Sequence, residues 1–191
     1  MYIFGFGSLI NIKSAQNSFK NRELKKDDLI PIRIKGYKRA WNALESINFE
    51  NIEVNGVFLN IQKDENSTIF GVMIKVSNEE FEVLKKREKN YSCIRIKKED
   101  ILNLQLEDDV FAFMTTNKEK IAKVGDINTF IPSKYIEIVQ EGIKNFSKEF
   151  QSDFDDILKD FPFPLKSGNY SFNDPIQNQA AREAKNHNES N

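Results

Sequence analysis

The chain opens with "MYIFGFGSLI", in which an apolar run meets Gly5 and Gly7 on either side of one aromatic, with Ser8 directly after. Such glycines weaken a strand ending and let the backbone bend close to something small. Histidine and cysteine each occur once. The only histidine, His187, stands among polar residues near the end of the chain, a poor place to hold an imidazole rigidly in a pocket. The only cysteine, Cys93, falls in the strand-like "YSCIRI" and reads as a buried or half-buried inert thiol. It cannot form an internal disulfide, and no cluster has the spacing of thiolate or histidine metal ligands. Glu88 lies in "KKREKN", a charge run that by itself reads as a solvated face.

These residues need elements to position them. Tyr2 to Phe6 reads as a first strand, followed by a short helix near Lys13 to Lys20. In "LIPIRIKGYKRAWNAL" the alternation of Ile30, Ile32 and Ile34 has the period of a half-buried strand. Gly36 interrupts it and marks a bulge or bend. "VNGVFLNIQ" and "STIFGVMIKV" follow as two more strands, separated by a turn at Asp64-Glu65-Asn66-Ser67, with Gly56 and Gly71 as further bulges or corners. Ser77 and Glu80 stand in capping-box spacing at the start of a helix that runs to about Asn90. "YSCIRIKKED" and "DVFAFMTT" return to strand, and the chain is helical after Pro132, with Gly142 as an interruption. Phe146, Phe150 and Phe154, four residues apart, read as core. The prolines of "KDFPFPLKSGNYSF" forbid regular helix and imply an extended arm that packs Phe161 and Phe163. Strands curled by glycines, with helices outside, point to an α+β fold built on a small mixed β-barrel. The expected organisation is one domain over residues 1–173, arm included, and a polar, flexible tail over 174–191.

The 191 residues carry a formal net charge of -1, so there is no basic footprint for nucleic acid. No apolar run has the length of a membrane span, and the N-terminus lacks the basic region and cleavage site of a signal peptide. The expectation is a soluble cytoplasmic protein whose partner is a small molecule; the sequence leaves its oligomeric state open.

Four segments carry a family resemblance. Phe4-Gly5-Phe6-Gly7-Ser8-Leu9 resembles the Phe-Gly-Tyr-Gly-Ser-Leu of the ChaC branch of the gamma-glutamylcyclotransferase-like superfamily, which also includes AIG2-like proteins. "GYKRAW" resembles that group's Gly-Tyr-x-Arg-x-aromatic strand. "LKKREKNY" resembles a segment in which Arg-Glu is followed shortly by Tyr, and "PSKYIEIVQEG" resembles a loop-to-helix pattern near the end of such domains. The order and spacing of the four agree over most of residues 1–150. Phe6 replaces the hallmark tyrosine, and Asn90 replaces a usual glycine.

The resemblance implies a gamma-glutamylcyclotransferase-like fold and an intramolecular cyclisation that releases 5-oxoproline from a gamma-glutamyl peptide or amine, glutathione among them. It implies no metal and no cofactor. It assigns Glu88 as catalytic general base and acid, and Phe4, Gly5, Phe6, Gly7, Ser8, Leu9 and Tyr91 as substrate-binding residues. The missing hydroxyl at Phe6 keeps a second reading open, a module that binds a gamma-glutamyl or amino-acid-like ligand without turnover. Hydrolysis or acyl transfer on a related amide is a third.

Overall fold

A computed structural model describes residues 1–174; His187 and all of the expected tail but Asp174 lie outside them. Eight strands and four helices follow one another in a mixed α+β order. β1 (Tyr2–Gly5) is central, antiparallel to β3 (Ile52–Lys75) and parallel to β5 (Val110–Met114). β4 (Ser92–Ile96) flanks β5, and β2 (Ile30–Phe49) pairs with β3 in a long antiparallel hairpin. The hairpin turns at Glu50 and Asn51, both with positive φ, as a two-residue turn between twisted strands requires.

The expected bend at Gly36 is present: its φ is +82°, and the register shifts between Lys35 and Tyr37. The expected turn at Asp64–Ser67 takes a different form. Lys63 pairs with Tyr37 and Thr68 with Lys35, so the four residues form an excursion within one long strand, opposite Gly36. Gly71 marks close packing rather than a corner, since its register against Ile32 is regular and a Cβ there would enter the Phe4 ring.

Side chains along β1 alternate between two cores. Ile3 faces a large cluster that the helices cover. Phe4 faces a smaller cluster whose buried members come from β1 to β5 and from Ile101. The second core has no buried helical residue, so the sheet curls around it. Burial on both faces accounts for the nearly unbroken apolar run "IFGVMI" in β3. The curl brings the segment after β4 to β2, where Ile34 bridges Ile101 and the Leu102 N–H donates to the Arg33 carbonyl at 2.9 Å.

On the outer side, α1 (Ile12–Gln16) and α3 (Ser133–Ile143) pack against the helical turn at Ser8–Ile10 that follows β1. α2 (Asn78–Arg87) follows β3 and is capped as expected. Ser77 Oγ accepts from the Glu80 N–H at 3.1 Å, and Glu80 accepts from the Ser77 N–H at 2.9 Å. After α3, α4 (Lys148–Ser152) starts at a new cap, Ser147. The phenylalanine series spans the break, stacking Phe146 on Phe150 at 4.4 Å and Phe150 on Phe154 at 5.6 Å.

The C-terminal arm is extended. After β6 (Thr129–Pro132), β7 (Leu165–Lys166) pairs with β6, and β8 (Tyr170–Phe172) adds to β2. Phe163 is buried, and Phe161 packs on Trp41. Cys93 differs from expectation. It shares the outer face of β4 with Arg95 and is exposed, because strand parity turns Ile94 and Ile96 the other way. No helix among the described residues is long and apolar enough to cross a membrane.

Candidate active site

The chain leaves the sheet at Gly5 and tightens into a helical turn over Ser8–Ile10. Asn11 then ties the end of the loop to α1 and to α3. Its Oδ1 accepts from the Lys13 and Ser14 N–H groups, and its Nδ2 donates to the Ile138 carbonyl of α3 at 3.1 Å. That anchor seats Tyr135 of α3 directly against the loop. A Cβ at Gly7 would stand 2.5 Å from the Tyr135 hydroxyl, so residue 7 has no room for a side chain. At Gly5 a Cβ would meet Leu9 at 2.6 Å. Both glycines let the loop fold back tightly on itself and on α3.

α2 ends at Arg87, which leaves Glu88 as its C-terminal cap. The Tyr91 N–H donates to the Glu88 carbonyl at 2.9 Å, closing a turn that sets the two side chains next to one another. Loop and turn meet at a cavity of about 130 Å³. Phe4, Gly5, Phe6, Gly7, Ser8 and Leu9 line one side, and Arg87, Glu88 and Tyr91 another. All eight residues singled out in the sequence therefore border the same space, although 79 positions separate Leu9 from Glu88. Phe58, Phe113, Tyr135 and Phe172 complete an aromatic wall. Phe172 comes from the C-terminal arm and packs on Phe58 at 5.3 Å.

Burial controls the charges here. The Glu88 side chain keeps 24% of its surface accessible, and its Oε1 lies 3.5 Å from Arg87 Nε. Burial lifts its pKa above the ordinary glutamate value; Arg87 opposes the shift and Glu45 adds to it. Tyr91 and Tyr135 are held as neutral phenols chiefly by burial, Tyr91 also by Glu45 and Glu88. The Tyr135 hydroxyl contacts the Ser8 and Leu59 amides, which favour its ionised form but do not outweigh burial. Arg87 also donates to Ser18 Oγ, fixing the guanidinium that faces Glu88.

Two residues near the cavity lie outside the set drawn from the sequence. Tyr135 belongs to the core-facing stripe of α3, yet its hydroxyl end reaches the loop. Glu45 is buried on β2, with Lys120 Nζ 3.6 Å from its Oε2, and its charge acts on Tyr91 and Glu88. Its signal is parity: Ala43, Glu45 and Ile47 alternate on the inward face, so a carboxylate sits where the pattern demands an apolar residue. Arg39, within the "GYKRAW" segment, pairs structurally and lies away from the cavity. It contacts Asp153 at 2.6 Å and packs over the Phe154 ring.

Solved structures share this architecture. A structure described as gamma-glutamyl cyclotransferase aligns with a TM-score of 0.58 at 14% identity, covering 95% of this chain and 98% of that one. YkqA from Bacillus subtilis aligns with a TM-score of 0.62 at 19% identity over 87% of this chain, and the match spans 56% of YkqA. A yeast gamma-glutamyl cyclotransferase described as specific to glutathione aligns with a TM-score of 0.50 at 13% identity, covering 83% and 96%. No protein-family model matches the chain, and no curated protein matches it by sequence. The structural likeness establishes the fold as that of gamma-glutamyl cyclotransferase.

Proposed function

We propose that this chain, built on the gamma-glutamyl cyclotransferase fold, cyclises a gamma-glutamyl peptide, amino acid or amine to 5-oxoproline, with Glu88 as base and then acid. The observation that carries the reading is the placement of Glu88 against the Phe4–Leu9 loop across one small cavity. In this reaction the α-amino nitrogen attacks the γ-carbonyl carbon of the same molecule. A five-membered lactam forms, the γ-amide C–N bond breaks, and no water is consumed. Nucleophile and electrophile are already joined, so orientation supplies much of the rate.

The protein must move one proton and steady one charge. The α-ammonium must lose its proton before attack, and the departing nitrogen must gain one. Glu88 takes the first proton and returns it, a cycle favoured when the carboxyl's pKa lies above the ordinary glutamate value. Backbone amides of the Gly5–Leu9 loop are the candidates for holding the α-carboxylate and the developing oxyanion, with the glycines permitting close approach. Neutral Tyr91 and Tyr135 supply polar atoms without adding charge.

A binding module is the second reading. Phe6 lines the cavity with a ring that has no hydroxyl, so any step that needs one there is absent. Product analysis separates the readings. Glutathione, gamma-glutamyl amino acids and gamma-glutamyl amines are incubated with the protein, and 5-oxoproline, glutamate and free amine are quantified. Cyclisation gives 5-oxoproline and amine in equal amounts. Glutamate in place of 5-oxoproline means hydrolysis, and binding without product means the module.

A further inference from the structure

The residues that line the cavity are of two kinds. The Gly5–Leu9 loop and Glu88 bring polar groups, whereas Phe58, Phe113 and Phe172 bring only rings. These rings are held in place. Phe58 meets Tyr135 edge-on at 5.0 Å and Phe172 at 5.3 Å between ring centres. β8 pairs Phe172 with Ile47 of β2, and the Asn173 N–H donates to the Ser46 carbonyl at 3.1 Å. Among the lining residues only Arg87 and Glu88 carry charge. Arg87 is already engaged: its Nε lies 3.5 Å from Glu88 Oε1, and its guanidinium donates to Ser18 Oγ. Lys89, two residues further along the chain, pairs with Asp174 at 2.9 Å.

We propose that the substrate is a gamma-glutamyl derivative of an uncharged, apolar alkyl or aryl amine, and not of an amino acid or peptide whose leaving half carries a carboxylate. The inference rests on the cyclotransferase reading and narrows it. In that reading the loop amides and Glu88 engage the glutamyl half. The leaving nitrogen is bonded to the γ-carbonyl carbon, so its substituent meets the remaining lining, which is aromatic. As the γ-amide C–N bond breaks, this nitrogen takes the proton that Glu88 returns and departs as the free amine. An apolar substituent gains from leaving water, roughly fourfold in affinity for each buried methylene. A carboxylate in the same place loses its hydration and meets no uncommitted cation in the lining, and burying an unpaired charge is costly.

The test compares gamma-glutamyl-phenylalanine, gamma-glutamyl-phenylalaninamide and gamma-glutamyl-phenethylamide. All have the same ring, and the amide removes the charge while keeping a substituent on the α-carbon. Turnover is measured with the wild type, and binding by calorimetry with Glu88→Gln. Both neutral compounds are expected to exceed the acid by at least about tenfold in kcat/KM and in affinity, the scale of one unsatisfied buried group. An acid equal to or better than its amide would overturn the proposal. So would an amide no better than the acid with only the phenethylamide improved, because bulk and not charge would then decide. In a second arm Phe172→Lys places a cation in the aromatic wall. It is expected to raise the acid relative to its amide, and an unmoved ratio would overturn the proposal; if this variant does not fold, the wild-type ratios decide. Glutathione serves as the control substrate. If it is cyclised while the neutral compounds neither bind nor react, the cyclotransferase reading stands and the proposal falls. If nothing yields 5-oxoproline, the cyclotransferase reading fails and the binding ratios still decide the preference of the cavity, with absence of all binding overturning the proposal as well.

Discussion

Gly7 and Tyr135 share one space: a Cβ on residue 7 would lie 2.5 Å from the tyrosine hydroxyl. The loop can therefore be tested without touching a charged group. Gly7→Ala must displace either the buried Tyr135 ring or the loop backbone. The expected cost is about 1–3 kcal/mol in urea unfolding, typical of overpacking. Turnover is expected to fall further than that cost alone implies, because the loop amides move. Gly7→Ala in a Tyr135→Phe background is expected to recover part of the stability, since the hydroxyl that collides is gone.

Glu88 makes stability and activity depend on pH in opposite directions. A carboxyl whose folded pKa is raised binds its proton more tightly in the native state. Its stabilising contribution is full below the unfolded glutamate pKa and is lost as pH rises through the folded one. Glu88→Gln is therefore expected to raise the melting temperature relative to wild type at pH 7, with the gain absent at pH 4. Activity runs the other way, because the base must be ionised. The acid limb of kcat/KM is expected above the ordinary glutamate range. An equal change in melting temperature at both pH values would contradict this.

Arg39 and Asp153 fasten the end of α4 to the hairpin. Arg39 is buried, and desolvation pulls its pKa down to about 10 even with Asp153 beside it. Asp153 also accepts from the Phe70 N–H at 2.9 Å. Asp153→Ala leaves a buried guanidinium uncompensated and is expected to cost about 3–5 kcal/mol. Urea unfolding of the two single variants and the double variant checks this. The double variant is expected to lose less than the sum of the singles.

Phe172 is the arm's contribution to the cavity wall, and Asp174 just beyond it pairs with Lys89 at 2.9 Å. Phe172→Ala removes the ring that packs on Phe58 and opens that side. The variant is expected to accept bulkier leaving amines, read as a rise in their kcat/KM relative to the smallest substrate. Unchanged preference across a graded series of amines would place the leaving group elsewhere.

Local signals were legible wherever one residue type answers one backbone need. Ser77 and Glu80 form their box, Gly36 takes its positive φ, and the glycines after β1 allow the loop. Signals that depend on long-range parity were harder. Cys93 is exposed because β4 turns its isoleucines inward, and Asp64–Ser67 stays within β3 because pairing to β2 resumes at Lys35. Glu45 needed both its parity and the approach of Lys120, 75 positions away, before its place could be seen. The Tyr135 hydroxyl was hidden for the same reason, since a helical stripe shows which face is buried and not what lies across from it.

The most direct measurement is 5-oxoproline formation by wild type and Glu88→Gln, with substrate binding followed by calorimetry on the same samples. The account predicts that the wild type releases 5-oxoproline from at least one gamma-glutamyl compound. It predicts that Glu88→Gln still binds that compound and loses at least about a hundredfold in kcat, the scale of general acid–base catalysis. Equal turnover by both proteins would contradict the role given to Glu88.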